Sequence, residues 1–253
     1  MKPQNIFILL FALFLFACAE DGQSSLTPET SISGQGGSLA RFSIVGNYLY
    51  TINSDQLNIF DISDASQPFL KNTQFLPSND VETIFPFSNW LFMGTETGML
   101  IFERQAEGTV QFISRYDHVR SCDPVVTDGE FAYVTLRATG CRNAAEGAVD
   151  VVEAISLEEL ENPQIIGDKE LNSPRGLALD NDVLFVCDGP AGFWVFDVST
   201  PGTFETITKV ENINVNDIIL RNGIAMVIGP NNVYQYDYTK LPTLTKISEL
   251  ELE

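Results

Sequence analysis

Histidine is almost missing from these 253 residues; there is one, His118. A zinc site built on imidazoles is therefore excluded, and a Ser/His/Asp hydrolase would have to be assembled around that single ring. Basic residues are also scarce, with 14 Lys+Arg against 34 Asp+Glu for a formal net charge of -20. Such a surface repels phosphate backbones and anionic headgroups, so no nucleic-acid partner is expected. The acidic runs Asp180-Asn181-Asp182 and Glu158 to Glu161 lack the alternating oxygen donors, the Gly and the terminal Glu of a calcium loop, and no metal or cofactor is called for. The apolar run from Ile6 to Ala17 has 12 residues, too few for a membrane-spanning helix, which needs roughly 20. What remains, 44% hydrophobic and 19% charged, is ordinary globular composition.

The run from Ile6 to Ala17 follows a single Lys2 and has the length of a secretory h-region, so residues 1–17 are set apart from the fold. Its end, Leu15-Phe16-Ala17-Cys18, resembles a bacterial lipobox, in which cleavage before the Cys is coupled to its acylation. The resemblance implies lipidation of Cys18 and attachment to a membrane through the lipid; the alternative is an ordinary signal peptide cut near Ala17 or Ala19. Residues 18–38, rich in Ser, Thr, Gly and Gln, read as a flexible tether. Glu20 and Asp21, just after the Cys, resemble the surface-export signal of Bacteroidota lipoproteins. The expected address is the outer membrane or cell surface, or alternatively the periplasmic side.

From residue 39 to 253 the chain repeats itself. A turn residue followed by an alternating apolar strand recurs at Asn47-YLYTI, Asn89-WLFMG, Glu130-FAYVT, Asp182-VLFVC and Gly223-IAMVI, at spacings of 42, 41, 52 and 41 residues. Each is followed by a second strand (QLNIFDI, GMLIFER, AVDVVEA, GFWVFDV, NVYQYDY) and a third (FLKNTQF, VQFISRY, PQIIGDK, FETITKV, LTKISEL). Each is preceded by a fourth (ARFSIVG, VETIFPFS, DPVVTDG, RGLALDN, NDIILRN). Period-two runs punctuated by Gly, Asn, Asp and Pro are strand signals. Four strands in a unit of about 40 residues, five times over, predict an all-β, five-bladed β-propeller with four antiparallel strands per blade. The strand after each turn residue is expected innermost and the LTKISEL-type strand outermost, with the ring closed by packing of blade one on blade five. Ser156 to Pro163, with a Ser156/Glu159 capping box, predicts one or two helical turns. Trp90 and Trp194 are expected in interblade packing.

The segments LNIFDISDASQP, FWVFDVSTP and VYQYDYTKLP resemble the LVIVD repeat of secreted and surface bacterial β-propellers, and CDPVVTDGEFAYVTL, LFVCDGPAGFWVFD and YQYDY are most similar to the lipoprotein members from Bacteroidota. The resemblance implies the propeller fold and an envelope setting, and brings no catalytic residues with it.

Loops from an outermost strand to the next blade, and loops between second and third strands, emerge on one face of such a disc. Counting back seven residues from each turn residue gives Ala40, Glu82, Asp123, Arg175 and Asn216 near the mouth of the central tunnel. With Asp217 beside Asn216, the candidate ligand-binding set is Glu82, Asp123, Arg175, Asn216 and Asp217; water and loop amides are the alternative partners for these groups. The expected function is a binding or scaffolding module, its partner an envelope protein or a glycan. The alternative is a carbohydrate-active enzyme using Glu82 and Asp123, since some five-bladed propellers are glycosidases with inner-strand carboxylates. Asp61, Asp197 and Asp237, with Glu153, are read as turn-forming residues closing the third strand. Cys122 and Cys141, in an exported chain and on loops of the same face, predict a disulfide. Cys187, inside an apolar run, reads as a buried free thiol.

Overall fold

A computed structural model describes residues 37–118, 124–138 and 149–252. Blade one is β1 (Phe42–Val45), β2 (Tyr48–Asn53), β3 (Gln56–Asp61) and β4 (Phe69–Phe75). Blade two is β5 (Val81–Phe87), β6 (Trp90–Thr95), β7 (Gly98–Arg104) and β8 (Val110–Asp117). Blade three is β9 (Val125–Thr127), β10 (Phe131–Leu136), β11 (Val151–Ser156) and β12 (Gln164–Glu170). Blade four is β13 (Leu177–Asp180), β14 (Val183–Cys187), β15 (Phe193–Asp197) and β16 (Glu205–Val210), and blade five is β17 (Asp217–Arg221), β18 (Ile224–Ile228), β19 (Asn232–Lys240) and β20 (Thr243–Glu251). Each blade is a four-stranded antiparallel sheet paired in sequence order. The architecture is a five-bladed β-propeller.

The strands that meet at the axis are β1, β5, β9, β13 and β17: β1 packs on β5, β5 on β9, β9 on β13 and β13 on β17. These are the segments leading into each turn residue, so the strand after the turn is second from the axis, contrary to the sequence expectation. Both strands are short apolar runs, and which lies inside is decided by the ring, not by their pattern.

Alternation along each strand sends successive side chains into the two neighbouring seams. Four buried clusters fill the seams between successive blades. Tyr50, Leu57 and Ile59 meet Ile84, Leu91 and Met93 in the first; Phe92 and Ile101 meet Val134 and Ile155 in the second. Tyr133 and Val152 meet Leu184 and Phe196 in the third, and Phe185 and Phe193 meet Ile218, Val227 and Tyr236 in the fourth. Trp90 and Trp194 both pack at seams, and Trp194 stacks on Phe196 with ring centres 5.6 Å apart.

Among the described residues no buried cluster joins blade five to blade one. Ser43 and Val45 face the first seam, whereas Phe42 and Ile44, on the other side of β1, remain 58% and 53% exposed. Closure is polar instead. The Ser38 hydroxyl, 1% exposed, accepts the Leu177 N–H of blade four at 2.8 Å and donates to Asp217 Oδ1 of blade five at 3.3 Å. Two residues on, the Ala40 carbonyl accepts the Ile84 N–H of blade two at 2.9 Å. A β-carbon on Gly37 would lie 2.1 Å from Asp217 Oδ2, so the strap approaches this closely only with glycine at that position.

Two local expectations are also corrected. Ser156 to Pro163 forms a turn and no helix, because Ser156 is held as the last residue of β11, opposite both Phe131 and Gln164. Leu157 is pinned in the seam beyond it. A single helix-like bond remains, from Asn162 N–H to the Glu159 carbonyl at 2.9 Å. The turn role holds for Asp61, Asp197 and Asp237, whose carboxylates accept both the backbone N–H and the hydroxyl of Ser63, Ser199 and Thr239. It fails for Glu153. Register pairs Tyr48 with Asp61 and Phe131 with Ser156, so Ser156 is the equivalent corner, and Glu153 lies mid-strand, buried, accepting the Tyr116 hydroxyl at 3.0 Å.

Candidate functional site

Turns between second and third strands reach across to the start of the next inner strand: Ser54 bridges Val81, and Gly189 bridges Val215. Both loop sets therefore share one face. On it the five inner strands begin around a single cavity of about 480 Å³, lined by Leu39, Glu82, Thr83, Pro124, Arg137, Arg175 and Asn216. Every blade contributes.

Glu82 enters through a bulge. Val81 pairs with Thr95 and Thr83 with Gly94, leaving Glu82 as the extra residue in β5, an irregularity that turns one side chain out of the strand's alternation. Arg175 is fixed from several sides. Its N–H donates to the Cys187 carbonyl at 2.8 Å and its carbonyl accepts the Thr135 hydroxyl at 2.6 Å. Its Nη1 donates to Asn216 Oδ1. The guanidinium also packs over the bare backbone of Gly189, where a β-carbon would sit 3.1 Å from Nε. Gly189 has φ +54°, a conformation that suits glycine.

Behind Arg175 lies Asp188, fully buried. Its carboxylate accepts the N–H groups of Asn172 and Ser173 at 2.8 and 2.7 Å, the Asn172 side-chain amide at 2.9 Å and the Trp194 indole N–H at 3.0 Å. A buried carboxylate with four donors is paired well enough to tie the Asn172–Arg175 loop to blade four. Burial and the neighbouring Arg137 charge lower the Arg175 pKa. Its Nε is buried without an acceptor among the described residues.

Asp217 stands just below the mouth, its carboxylate wedged against the backbone of Gly37 and Gly176; a β-carbon on either would come within 2.1 Å of a carboxylate oxygen. Burial raises its pKa to about 6, against hydrogen bonds from Ile218, Leu39 and Ser38 that lower it. Cys187, beneath Arg175, is a buried free thiol, and burial and then the Asp217 charge push its pKa well above the ordinary range.

Glu82, Arg175 and Asn216 thus share one cavity, Asp217 backs it, and Ala40 gives its carbonyl to blade two. Asp123, Cys18, Cys122 and Cys141 lie outside the described residues. Sequence reasoning missed Arg137 and Thr83. Arg137 directly follows β10 at the start of the stretch that lengthens one repeat to 52 residues, and that irregular spacing was its signal. Among the described residues, Glu82 is the one carboxylate of the lining, and no three His, Cys, Asp or Glu side chains converge as a metal site would require.

The LVIVD repeat family matches residues 36–74, the strap and all of blade one but Phe75. The chain is a β-propeller that carries an LVIVD repeat. Several solved propellers share the fold. A protein from Lactobacillus plantarum superposes with a TM-score of 0.63 at 14% identity, covering 82% of this chain and 72% of that one. The periplasmic gluconolactonase PpgL of Pseudomonas aeruginosa gives 0.61 at 13%, covering 82% and 68%. The Kluyveromyces lactis Hsv2 with its loop 6CD replaced gives 0.53 at 12%, covering 81% of this chain and 62% of that one. The LVIVD propeller thus spans about three-fifths of the Hsv2 chain's length. At such identities the likeness is one of fold. No curated protein matches the sequence.

Proposed function

We propose that this LVIVD propeller is a binding module of the bacterial envelope, of the lipoprotein type, tethered through an acylated Cys18 and engaging an envelope protein or glycan at its tunnel mouth. The observation that carries the reading is the mouth itself. Side chains from all five blades converge there, and Arg175 is held in place by Asn216, Thr135 and Gly189 before any ligand arrives. Pre-ordering of this kind lowers the entropic cost of association, which is what a recognition site needs. The Leu15 to Cys18 motif supports the anchor, and a Cys122–Cys141 bond would steady the loops around the mouth.

The test is a panel of neutral and acidic glycans and purified envelope proteins, presented to the full chain and to a Glu82→Ala/Asn216→Ala variant with an unchanged melting transition. A ligand retained by the first and lost by the second supports the mouth as the binding site. Ligands bound equally by both would move the site elsewhere. Hydrolysis of a glycan that disappears in Glu82→Gln and Asp123→Asn proteins would instead establish the carbohydrate-active reading.

A further inference from the structure

We propose that the seam left open between blade five and blade one is a docking slot for an aromatic side chain of a basic protein partner. The ring takes the place that an aromatic of the preceding blade fills in each of the other four seams. The inference goes beyond the tunnel mouth and uses none of its residues.

The repeat shows what this seam lacks. Five residues before the turn residues stand Phe42, Ile84, Val125, Leu177 and Ile218. The last four are at most 1% exposed, whereas Phe42 is 58% exposed. Three residues after the turn residues stand Tyr50, Phe92, Tyr133, Phe185 and Met226. The four rings are buried, and each shares a cluster with the aliphatic of the next blade, Ile84, Val125, Leu177 and Ile218 in turn. The fifth position has no ring, and Met226 is only partly buried. Among the described residues, β1 also lacks the packing on β17 that joins every other successive pair of inner strands.

Blade one is nevertheless finished as an interior surface. Register lines up Ile44, Leu49, Phe60 and Leu70 as a stripe across all four strands, on the same side as Phe42. Ile44 and Leu70 are each 53% exposed, and Leu49 and Phe60 are partly buried. Blade five offers Ile224, Met226 and Ile228, all partly buried, on the side away from the fourth seam, where Ala225 and Val227 point. Contiguous exposed apolar surface marks an interaction site, and an unbranched, polarizable methionine adapts to an inserted ring. Rings already meet across the other seams. Phe193 of blade four contacts Tyr236 of blade five edge to face at 5.4 Å, and Tyr133 of blade three contacts Phe204 of blade four at 6.2 Å.

Two observations choose the partner. A second copy carries the same formal -20 and is repelled, whereas a basic segment is attracted. Gln235 pairs with Met226 where the other blades carry Ile59, Ile101, Ala154 and Val195. Its Oε1 accepts the Ser248 hydroxyl at 3.1 Å, which leaves its amide N–H groups to donate to a peptide carbonyl; an acyl chain would leave them unpaired. An aromatic anchor with its backbone bonded beside it is the usual centre of a protein interface.

The test is fluorescence anisotropy of the full chain with a labelled nonapeptide, one tryptophan flanked by Ser-Thr and Thr-Ser with two lysines at each end. The tryptophan peptide should bind, and its alanine counterpart at least about tenfold more weakly, the usual loss of an aromatic anchor. Phe42→Ser, at an exposed position, should weaken the tryptophan peptide about tenfold. Met226→Tyr, which supplies the ring from within, should abolish its binding with the melting transition retained. The Glu82→Ala/Asn216→Ala protein should bind it as the native chain does; loss there instead would place the peptide at the mouth and overturn the proposal. No binding at about 1 mM peptide, equal binding of the two peptides, or binding unchanged in Phe42→Ser also overturns it. So does sedimentation showing a dimer that Phe42→Ser dissociates, which would seat a second copy in the slot. Capture by phosphatidylcholine vesicles that Phe42→Ser abolishes would seat a lipid there and overturn it equally.

Discussion

Asp217 makes the strap at the tunnel mouth pH-sensitive, and the sign of the effect is fixed by its surroundings. Its carboxyl is lifted from the ordinary 3.8 to about 6 by burial. The folded protein therefore holds a proton that the unfolded chain releases between about pH 4 and 6. Because the native state binds more protons across that window, unfolding free energy falls as pH rises through it. The stabilisation is complete below the unfolded pKa and gone above about pH 6; a change from 3.8 to about 6 is worth about 3 kcal/mol. In Asp217→Asn the group no longer titrates. The amide oxygen can stand at Oδ1 and keep both the Ile218 N–H, at 2.9 Å, and the Ser38 hydroxyl, at 3.3 Å, while the amide nitrogen replaces the other carboxylate oxygen with a donor, at a cost of about 1–2 kcal/mol at every pH. The constant cost cancels when the variant's stability relative to the native chain is compared at pH 4 and pH 7, and so does the general repulsion of an acidic surface. That relative stability should rise by about 2.4 kcal/mol between the two, part of the full change having been spent below pH 4. Urea denaturation followed through Trp90 and Trp194 would read it. A difference that stays within about 1 kcal/mol across the window would refute the argument that Asp217 is buried and protonated. The turn carboxylates Asp61, Asp197 and Asp237 are lowered by their Ser or Thr hydroxyl and backbone donors, so their stabilisation is lost only at more acidic pH.

Gly176→Ala would drive a methyl into the Asp217 carboxylate and should destabilise by about 1–3 kcal/mol, as overpacking does; an unchanged urea midpoint would show the strap to be loose. Asp188→Ala removes the acceptor for four donors and should cost about 3 kcal/mol or more, with a fall in Trp194 fluorescence order. Mass spectrometry of the membrane fraction should find a lipid-modified N-terminal Cys18, and a Cys18→Ser protein that stays membrane-bound would argue against the anchor. Peptide mapping without reduction should recover Cys122 joined to Cys141; the bond closes a loop of about 20 residues and would add roughly 3 kcal/mol, so a melting temperature unmoved by reductant would count against it.

The strands were legible because a propeller repeats one problem five times. Alternation in a single segment such as FLKNTQF is weak, but the same pattern at near-constant spacing in five places is not, and β4 and β7 match their sequence segments end to end. Counting back from a turn residue worked for Glu82, Arg175 and Asn216 because inner strands of similar length begin at one level of the disc. It had no means of finding Arg137, which belongs to the irregular stretch between β10 and β11 and to no repeat column. Glu153 was misplaced for a related reason. Blade three's corner falls on Ser156, and an acidic residue three positions earlier in the sequence imitates the missing Asp.

The features that distinguish this propeller from an ideal ring depend on residues far apart in the chain. The protonation of Asp217 is set by Gly37 and Gly176, and the closure of the disc by a hydroxyl, Ser38, bonded to blades four and five. Nothing local to Ser38 announces that role, since a serine beside glycine reads as tether by composition. The same strap supplies Leu39 to the lining of the mouth. Closure and the wall of the cavity are therefore built from one segment: whatever loosens Gly37 to Ala40 removes both that wall and the polar link of blade one to blade five. A ligand that presses on Leu39 and Arg175 together spans blades one and four, so by linkage it must stabilise the folded ring by as much as the ring's order favours the ligand.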